Sequence, residues 1–275
     1  MRILYRLKFL NPLVKFLFKN YLTKPKAFST SQGLFYISNP NETIQKSLLI
    51  KGSFEYRMVK LAIKLAKFKD GIIVDVGANI GSFTIPLALN YPSREIVSFE
   101  PQRMVFHHLS ANIFLNKLSN VSLHRLVISE EKKDFIKVPL FDFNENYAGS
   151  VTLDEDVAIK RSKISGVAEP LSYAKKFDLV KVASLDKLLT SSVAFIKIDV
   201  EGMELTVLKS AENILKRDFP ILLFETWDLQ EFSAENKNIF NYLSKIGYVY
   251  FSFGSDSVAC SKDDIDAIEA IKKDL

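Results

Sequence analysis

Residues Val74 to Gly81, Val-Asp-Val-Gly-Ala-Asn-Ile-Gly, restrict the fold of this chain more than any other stretch. Ile72, Ile73, Val74 and Val76 form the apolar run of a parallel strand buried on both faces. The run ends in Asp75 and a small-residue turn, and a helix is predicted from Ser82 onward. Gly77 and Gly81 let the backbone turn tightly and approach a ligand closely. Asn79 between them is one of the few other residue types that tolerates a left-handed conformation. Strand, Gly-rich turn and helix N-terminus in that order make a nucleotide-type cofactor site. The alternative is an ordinary strand–turn–helix unit.

The spacing narrows the cofactor. A dinucleotide fingerprint requires G-x-G-x-x-G, whereas this loop reads G-x-N-x-G. It resembles the D-x-G-x-G-x-G-like loop of S-adenosylmethionine-dependent methyltransferases, with Asn in place of the middle Gly. That cofactor has no pyrophosphate, so the resemblance implies a loop that accommodates ribose and a methionyl chain.

Alternating patterns continue on both sides of the loop. A helix is expected over Phe54 to Phe68, closed by Asp70-Gly71, then strands at Ile72 to Val76 and Ile96 to Glu100. A helix follows at Arg103 to Leu118 and a strand at Val121 to Ile128. Further on, strands are expected at Phe195 to Val200, Ile221 to Phe224 and Tyr248 to Phe253, and helices at Glu204 to Lys216 and Ser233 to Ile246. Repeated strand–helix pairs imply an α/β fold with a parallel sheet covered on both faces. Residues 134–183 break the rhythm with short strands (Phe135 to Leu140, Ser150 to Leu153) and a polar stretch. An insertion of that length suits a lid or substrate wall. Gly33 to Ile50 reads as short strands or an irregular lead-in, so residues 1–53 form an extension and 54–275 the main domain.

At 275 residues and 48% hydrophobic content, the chain suits one large domain. The net charge of +5 is unevenly placed: Met1 to Phe28 carry seven bases and no acid, leaving 30 bases against 32 acids elsewhere. A remainder of net −2 argues against a nucleic-acid substrate. The leader could form a basic amphipathic helix in peripheral contact with a membrane surface. Packing on the domain or on a second subunit of a homo-oligomer is the favoured alternative, because Pro12 splits the segment and its apolar face is broad. The single cysteine, Cys260, fits a reducing compartment. Without a long apolar span or a clean signal peptide, the expected location is cytoplasmic.

Acids at strand ends carry the candidate chemistry. Glu100, 25 residues after Asp75, can accept hydrogen bonds from both hydroxyls of a ribose. Asp199 follows the strand Phe195 to Ile198, and Glu201 lies two residues on, which places both on one side of an extended segment. Such a pair could take a hydroxyl proton or hold a cation. Glu201 reads equally well as an anion near a helix N-terminus. Glu225 ends the apolar run Ile221 to Phe224, with Trp227 and Asp228 next as an aromatic wall and a further acid. His107, His108 and His124 lack metal-like spacing and read as structural or surface residues.

Several ordered motifs together resemble the FkbM family of S-adenosylmethionine-dependent methyltransferases. They are Val74 to Gly81, Phe99-Glu-Pro101, Ser184 to Leu188, Ile196 to Gly202 with Glu204, Val207 and Leu208, and Pro220 to Glu225. The resemblance implies a class I methyltransferase, Rossmann-like doubly wound sheet of order 3-2-1-4-5-7-6, the last strand antiparallel. It implies O-methylation of a hydroxyl, often on a sugar or polyketide. By position, Asp75, Gly77, Ala78, Asn79, Gly81, Glu100 and Pro101 would line the cofactor. Asp199, Glu201 and Glu225 would sit where the methyl group moves, with Asp199 the first candidate base and Glu225 the second. Asn146 to Ser150 is similar to an active-site segment of the family, with one Gly fewer before the Ser. Mg²⁺, if present, would be held by Asp199, Glu225 and Asp228. The expected acceptor is a small-molecule or glycan hydroxyl, and the basic leader suggests a lipid-linked or anionic glycan. A nucleic-acid or protein methyltransferase and a non-catalytic scaffold are the competing readings.

Overall fold

A computed structural model describes residues 26–130, 133–140, 176–226, 233–266 and 268–269. The described chain begins with strands β1 (Lys26–Thr30) and β2 (Gly33–Ile37) and helices α1 (Thr43–Lys51) and α2 (Tyr56–Ala66). Next come β3 (Ile72–Val76), α3 (Thr84–Asn90), β4 (Ile96–Phe99), α4 (Arg103–Leu115), β5 (Val121–His124), β6 (Val127–Ile128) and β7 (Phe135–Pro139). They are followed by β8 (Phe177–Ala183), α5 (Leu185–Leu188), β9 (Val193–Ile198), α6 (Glu204–Ser210) and α7 (Glu212–Asp218). The chain then adds β10 (Ile221–Glu225), α8 (Ser233–Lys245), β11 (Tyr248–Phe253) and β12 (Asp256–Ser261).

Seven strands form the central sheet in the order β5-β4-β3-β9-β10-β12-β11. Neighbours from β5 to β10 are parallel, and β12 is antiparallel to both β10 and β11. Counted along the chain within this sheet, the order is 3-2-1-4-5-7-6, as the family resemblance implies. The strand that completes it, β12, carries no strong strand pattern: Asp-Ser-Val-Ala-Cys-Ser has few branched or aromatic residues. Gly254, at φ +68° between β11 and β12, makes the turn.

Strand alternation sorts side chains into two cores. Val74 and Val76 of β3 and Ile196 and Ile198 of β9 face the helices α6, α7 and α8. Ile73 and Phe195 face the opposite side with Leu61 and Leu65 of α2 and Leu87 of α3. Asp75 and Lys197 share that second face and are direct partners in the β3–β9 register. Two residues further along lie Gly77 and Asp199, just past the carboxyl edge, and Glu225 ends β10 on the same parity. Sheet register thus delivers every strand-end acid to one rim.

The N-terminal extension, expected to be a helical leader followed by short strands or an irregular lead-in over Gly33 to Ile50, combines strand and helix in its described part, with α1 over Thr43–Lys51 where no helix was expected. Residues 26–37 are a β-hairpin, and its free edge is satisfied by helix side chains: Asn112 Oδ1 accepts from Tyr36 N at 2.8 Å and Asn116 Oδ1 from Leu34 N at 2.8 Å. Phe35 and Ile37 pack on Val105, Leu109 and Ile113 of α4. The expected strand Val121 to Ile128 is also divided. After β5 the chain leaves the main sheet, and β6 joins β8 and β7 in a separate three-stranded sheet. Arg103 and Arg125 both clamp Asp178 of β8, the latter at 2.6 Å. The expected helix Glu204 to Lys216 breaks at Ala211 into α6 and α7. Among the described residues, no helix is long and apolar enough to cross a membrane.

Gly77 has the least room of the loop residues. Its φ is +81°, and a Cβ there would lie 1.8 Å from the carbonyl oxygen of Asp199. Gly77→Ala is expected to cost about 2–4 kcal/mol, combining left-handed strain and overpacking. Gly52 has φ +70° but open space around it, so Gly52→Ala should cost about 1 kcal/mol. Urea unfolding of the two variants checks the difference.

Candidate active site

The loop after β3 is held from both sides. Gly77 N and Ala78 N both donate to the carbonyl of Phe99 at 3.0 Å. Asn79 takes φ +48°, with its own Oδ1 accepting from Ile80 N at 2.8 Å, a local bond that suits Asn to this conformation. Its backbone N–H donates to Glu100 Oε2 at 3.0 Å, and Gln102 N donates to Glu100 Oε1 at 2.9 Å. Glu100 is therefore buried, fixed in orientation, and still has acceptor capacity toward a ligand. Burial pushes its pKa up to about 7, against the lowering effect of those two N–H groups.

A cavity of about 310 Å³ opens over this loop, in the range of small-molecule sites. Gly77, Asn79, Glu100 and Pro101 line it, and so do Asp199, Glu201 and Glu225. Asp75, Ala78 and Gly81 do not. Asp75 is fully buried beneath the loop, where Thr84 Oγ1 donates to its Oδ2 at 2.6 Å and shares a 2.9 Å contact with Ser98. Gly81 packs against Leu109 and Ile85. These three residues act on the loop's shape rather than on the cavity wall.

Lys197, which belongs to none of the expected site residues, joins the loop to the cavity acids. A charged residue inside the otherwise apolar Val193–Ile198 strand was the available signal. Its ammonium is buried 3.1 Å from Asp199 Oδ2 and 3.5 Å from Asp75 Oδ1. It also donates to the Gly77 carbonyl at 3.3 Å and lies 4.7 Å over the Phe83 ring. Burial alone would lower its pKa, but Asp199, Asp75 and Glu55 together hold it above its ordinary value.

One carboxylate oxygen each from Asp199, Glu201 and Glu225 lies within 4.8 Å of the other two. Glu201 arrives there by a left-handed turn, φ +55°, and not on an extended segment. The helix-terminal role considered for it belongs instead to Glu204, whose Oε1 accepts from Gly202 N at 3.1 Å and Val200 N at 3.3 Å. Burial raises Glu204 to about 7. Glu225 is pushed up to about 9, first by burial and then by the charges of Asp199, Glu201, Glu204 and Asp256. Asp256, its register partner on β12, is raised to about 6 by burial and by Asp199. Glu55, at the cavity wall, is exposed overall, yet desolvation of its carboxyl and the charge of Asp199 raise it above its ordinary value. An acid just ahead of a helix reads as an ordinary dipole partner, so nothing local marked it.

The histidines stay outside the cavity. His108 is buried against the Tyr36 carbonyl, and His124 stacks on Phe99 with ring centroids 5.3 Å apart. Trp227, Asp228 and Asn146 to Ser150 lie outside the described residues.

A family profile described as "Methyltransferase FkbM domain" matches residues 75–250, well over half of the chain. The chain belongs to the FkbM methyltransferase family. Methyltransferase 1 of Beauveria bassiana (strain ARSEF 2860) is 28% identical over 171 residues, covering 58% of this chain and 61% of that protein. Methyltransferase sdnD of Sordaria araneosa is 31% identical over 177 residues, covering 57% of this chain and 66% of that protein. The chain thus spans less than two thirds of the length of either relative. Methyltransferase FkbM from Methylobacillus flagellatus KT superposes with a TM-score of 0.46 at 17% identity, covering 79% of this chain and 52% of that one. Within the FkbM domain, β3, β4, β9 and β10 all end at the cavity rim.

The raised acids of this domain set its response to pH. Glu100, Glu204 and Glu225 bind protons more tightly in the folded protein than at the ordinary value of 4.5. Their contribution to stability is full below about pH 4.5 and is lost as pH rises through about 7 and then about 9. Urea midpoints of the ligand-free protein should therefore fall between about pH 5 and 9, and Glu225→Gln should flatten the upper part of that fall.

Proposed function

We propose that this protein is an S-adenosylmethionine-dependent O-methyltransferase acting on an uncharged hydroxyl, as of a sugar or other polyol. One observation carries the reading. A single cavity has a fixed ribose-type acceptor, Glu100, on one side and the acids Asp199, Glu201 and Glu225 on the other, above a G-x-N-x-G loop. Acids around a small cavity favour a cationic cofactor and disfavour an anionic acceptor at the reacting centre. That argues against the phosphates of nucleic acid and against an acidic group beside the methylated hydroxyl. It also argues against a scaffold role, which has no use for closely spaced, half-buried acids.

S-Adenosylmethionine, when bound, supplies an electrophilic methyl group on a cationic sulfur. The protein's part is to align the acceptor oxygen in line with that methyl and to take the hydroxyl proton. Asp199 is the base in this reading. Lys197 holds its Oδ2, while no described residue hydrogen-bonds its Oδ1. Glu225, near 9, retains its proton at neutral pH and donates a hydrogen bond to the acceptor instead. A divalent cation such as Mg²⁺ would instead ionise Glu225 and be held by Asp199, Glu201 and Glu225, where it would offset their mutual repulsion and acidify a bound hydroxyl.

Transfer of labelled methyl from S-adenosylmethionine into a panel of neutral and anionic glycans tests the reading. Methylation is expected in neutral members. Asp199→Asn should lower the rate by about 10²–10⁴-fold while leaving S-adenosylhomocysteine affinity within about 3-fold. Full activity in that variant would remove Asp199 as the base.

A further inference from the structure

Glu55 and Glu201 are both cavity acids with left-handed backbones, and of the two Glu55 comes from the N-terminal part of the chain. It adopts φ +46° and ψ +43°, a left-handed conformation disfavoured for a side chain with a Cβ, and it occupies the cap position of α2 without capping it. Strain of this kind persists only where the surroundings enforce it. Here they do. Gln32, buried at the hairpin turn, accepts from Phe54 N and donates to Phe54 O, both at 2.7 Å. Ser31 N and Oγ both donate to Gly52 O, at 3.0 and 2.9 Å, and Ser47 Oγ donates to Ser53 O at 2.8 Å. The residues leading to Glu55 are thus fixed to the hairpin and α1, and its carboxylate, which no described residue hydrogen-bonds, is presented to the cavity.

Its position along the cavity is set by its electrical neighbours. Glu55 interacts with Asp199, Lys197 and Asp256. Glu100 follows β4 and is held by Asn79 N and Gln102 N, whereas Asp199 and Asp256 lie at β9 and β12, across β3 from it in the sheet order. The two glutamates therefore lie on different sides of the glycine loop. With a ribose on Glu100, the amino-acid portion of the cofactor extends away from it, and its ammonium requires an anionic partner. Asp199 already has Lys197, whereas Glu55 has no such partner within hydrogen-bonding reach.

We infer that Glu55 binds the α-ammonium of the methionyl portion of S-adenosylmethionine, making the N-terminal hairpin part of the cofactor site. This rests on the cofactor reading proposed above. Calorimetry with S-adenosylhomocysteine and with 5′-methylthioadenosine, which lacks the amino-acid group, separates the two claims. Glu55→Gln should weaken S-adenosylhomocysteine by about 5- to 30-fold and leave 5′-methylthioadenosine within about 2-fold. Glu100→Gln should weaken both ligands. Glu55→Gly, which relieves the left-handed strain, should fold with a melting midpoint no lower than wild type and show the same selective loss. Unchanged S-adenosylhomocysteine affinity in the Glu55 variants, or equal losses for both ligands, would overturn the inference alone. No binding of either ligand to wild type would overturn the cofactor reading itself.

Discussion

The ammonium of Lys197, buried between Asp75 and Asp199, is the contact on which the rest of the site depends. Parallel register puts Asp75 and Lys197 side by side on adjacent strands, and the next residues of the same parity are Gly77 and Asp199. One cation therefore neutralises the acid beneath the loop, holds the acid beside the cavity and bonds the loop's own carbonyl. Removing one partner from a buried charge pair typically costs about 3–5 kcal/mol, because the other charge is left without compensation. Thr84 completes the arrangement from above by donating to Asp75. The glycine loop is consequently held by hydrogen bonds to Phe99, Glu100 and Lys197.

Around that contact the protein gathers carboxyls that repel one another. Glu225 and Asp256 are register partners on neighbouring strands, and Asp199, Glu201 and Glu204 lie close enough to raise Glu225 further. Such a cluster is unfavourable unless a cation or proton shares it. Protonation relieves that repulsion, and burial together with the neighbouring charges holds Glu225 well above the ordinary carboxylate range. A cationic ligand would replace the proton. The same charge disfavours an anionic group at the reacting centre.

Much of this was legible in the sequence, for identifiable reasons. Strand Ile72–Val76 and its loop announce themselves because an apolar run meets closely spaced glycines, and Glu100 and Glu225 because each is an acid ending such a run. These are local patterns. Lys197 acquires its role from register across two strands, which no local pattern encodes. Glu55 depends on a hairpin folding back over 20 residues to fix Phe54 through Gln32. Strand β12 was missed because its small residues pack well between two strands without the branched, alternating signature of an exposed face. The division of Val121 to Ile128 likewise follows from a second sheet that forms only with the distant β8.

The central claim is that this acidic cavity is built for a cationic adenosyl cofactor. Calorimetric titration of the full chain with S-adenosylmethionine near neutral pH, repeated in buffers of different ionisation enthalpy, tests it most directly. The account predicts saturable binding with net release of protons, since a bound cation draws the raised carboxyls toward ionisation. Absence of binding, or binding accompanied by proton uptake, would contradict it.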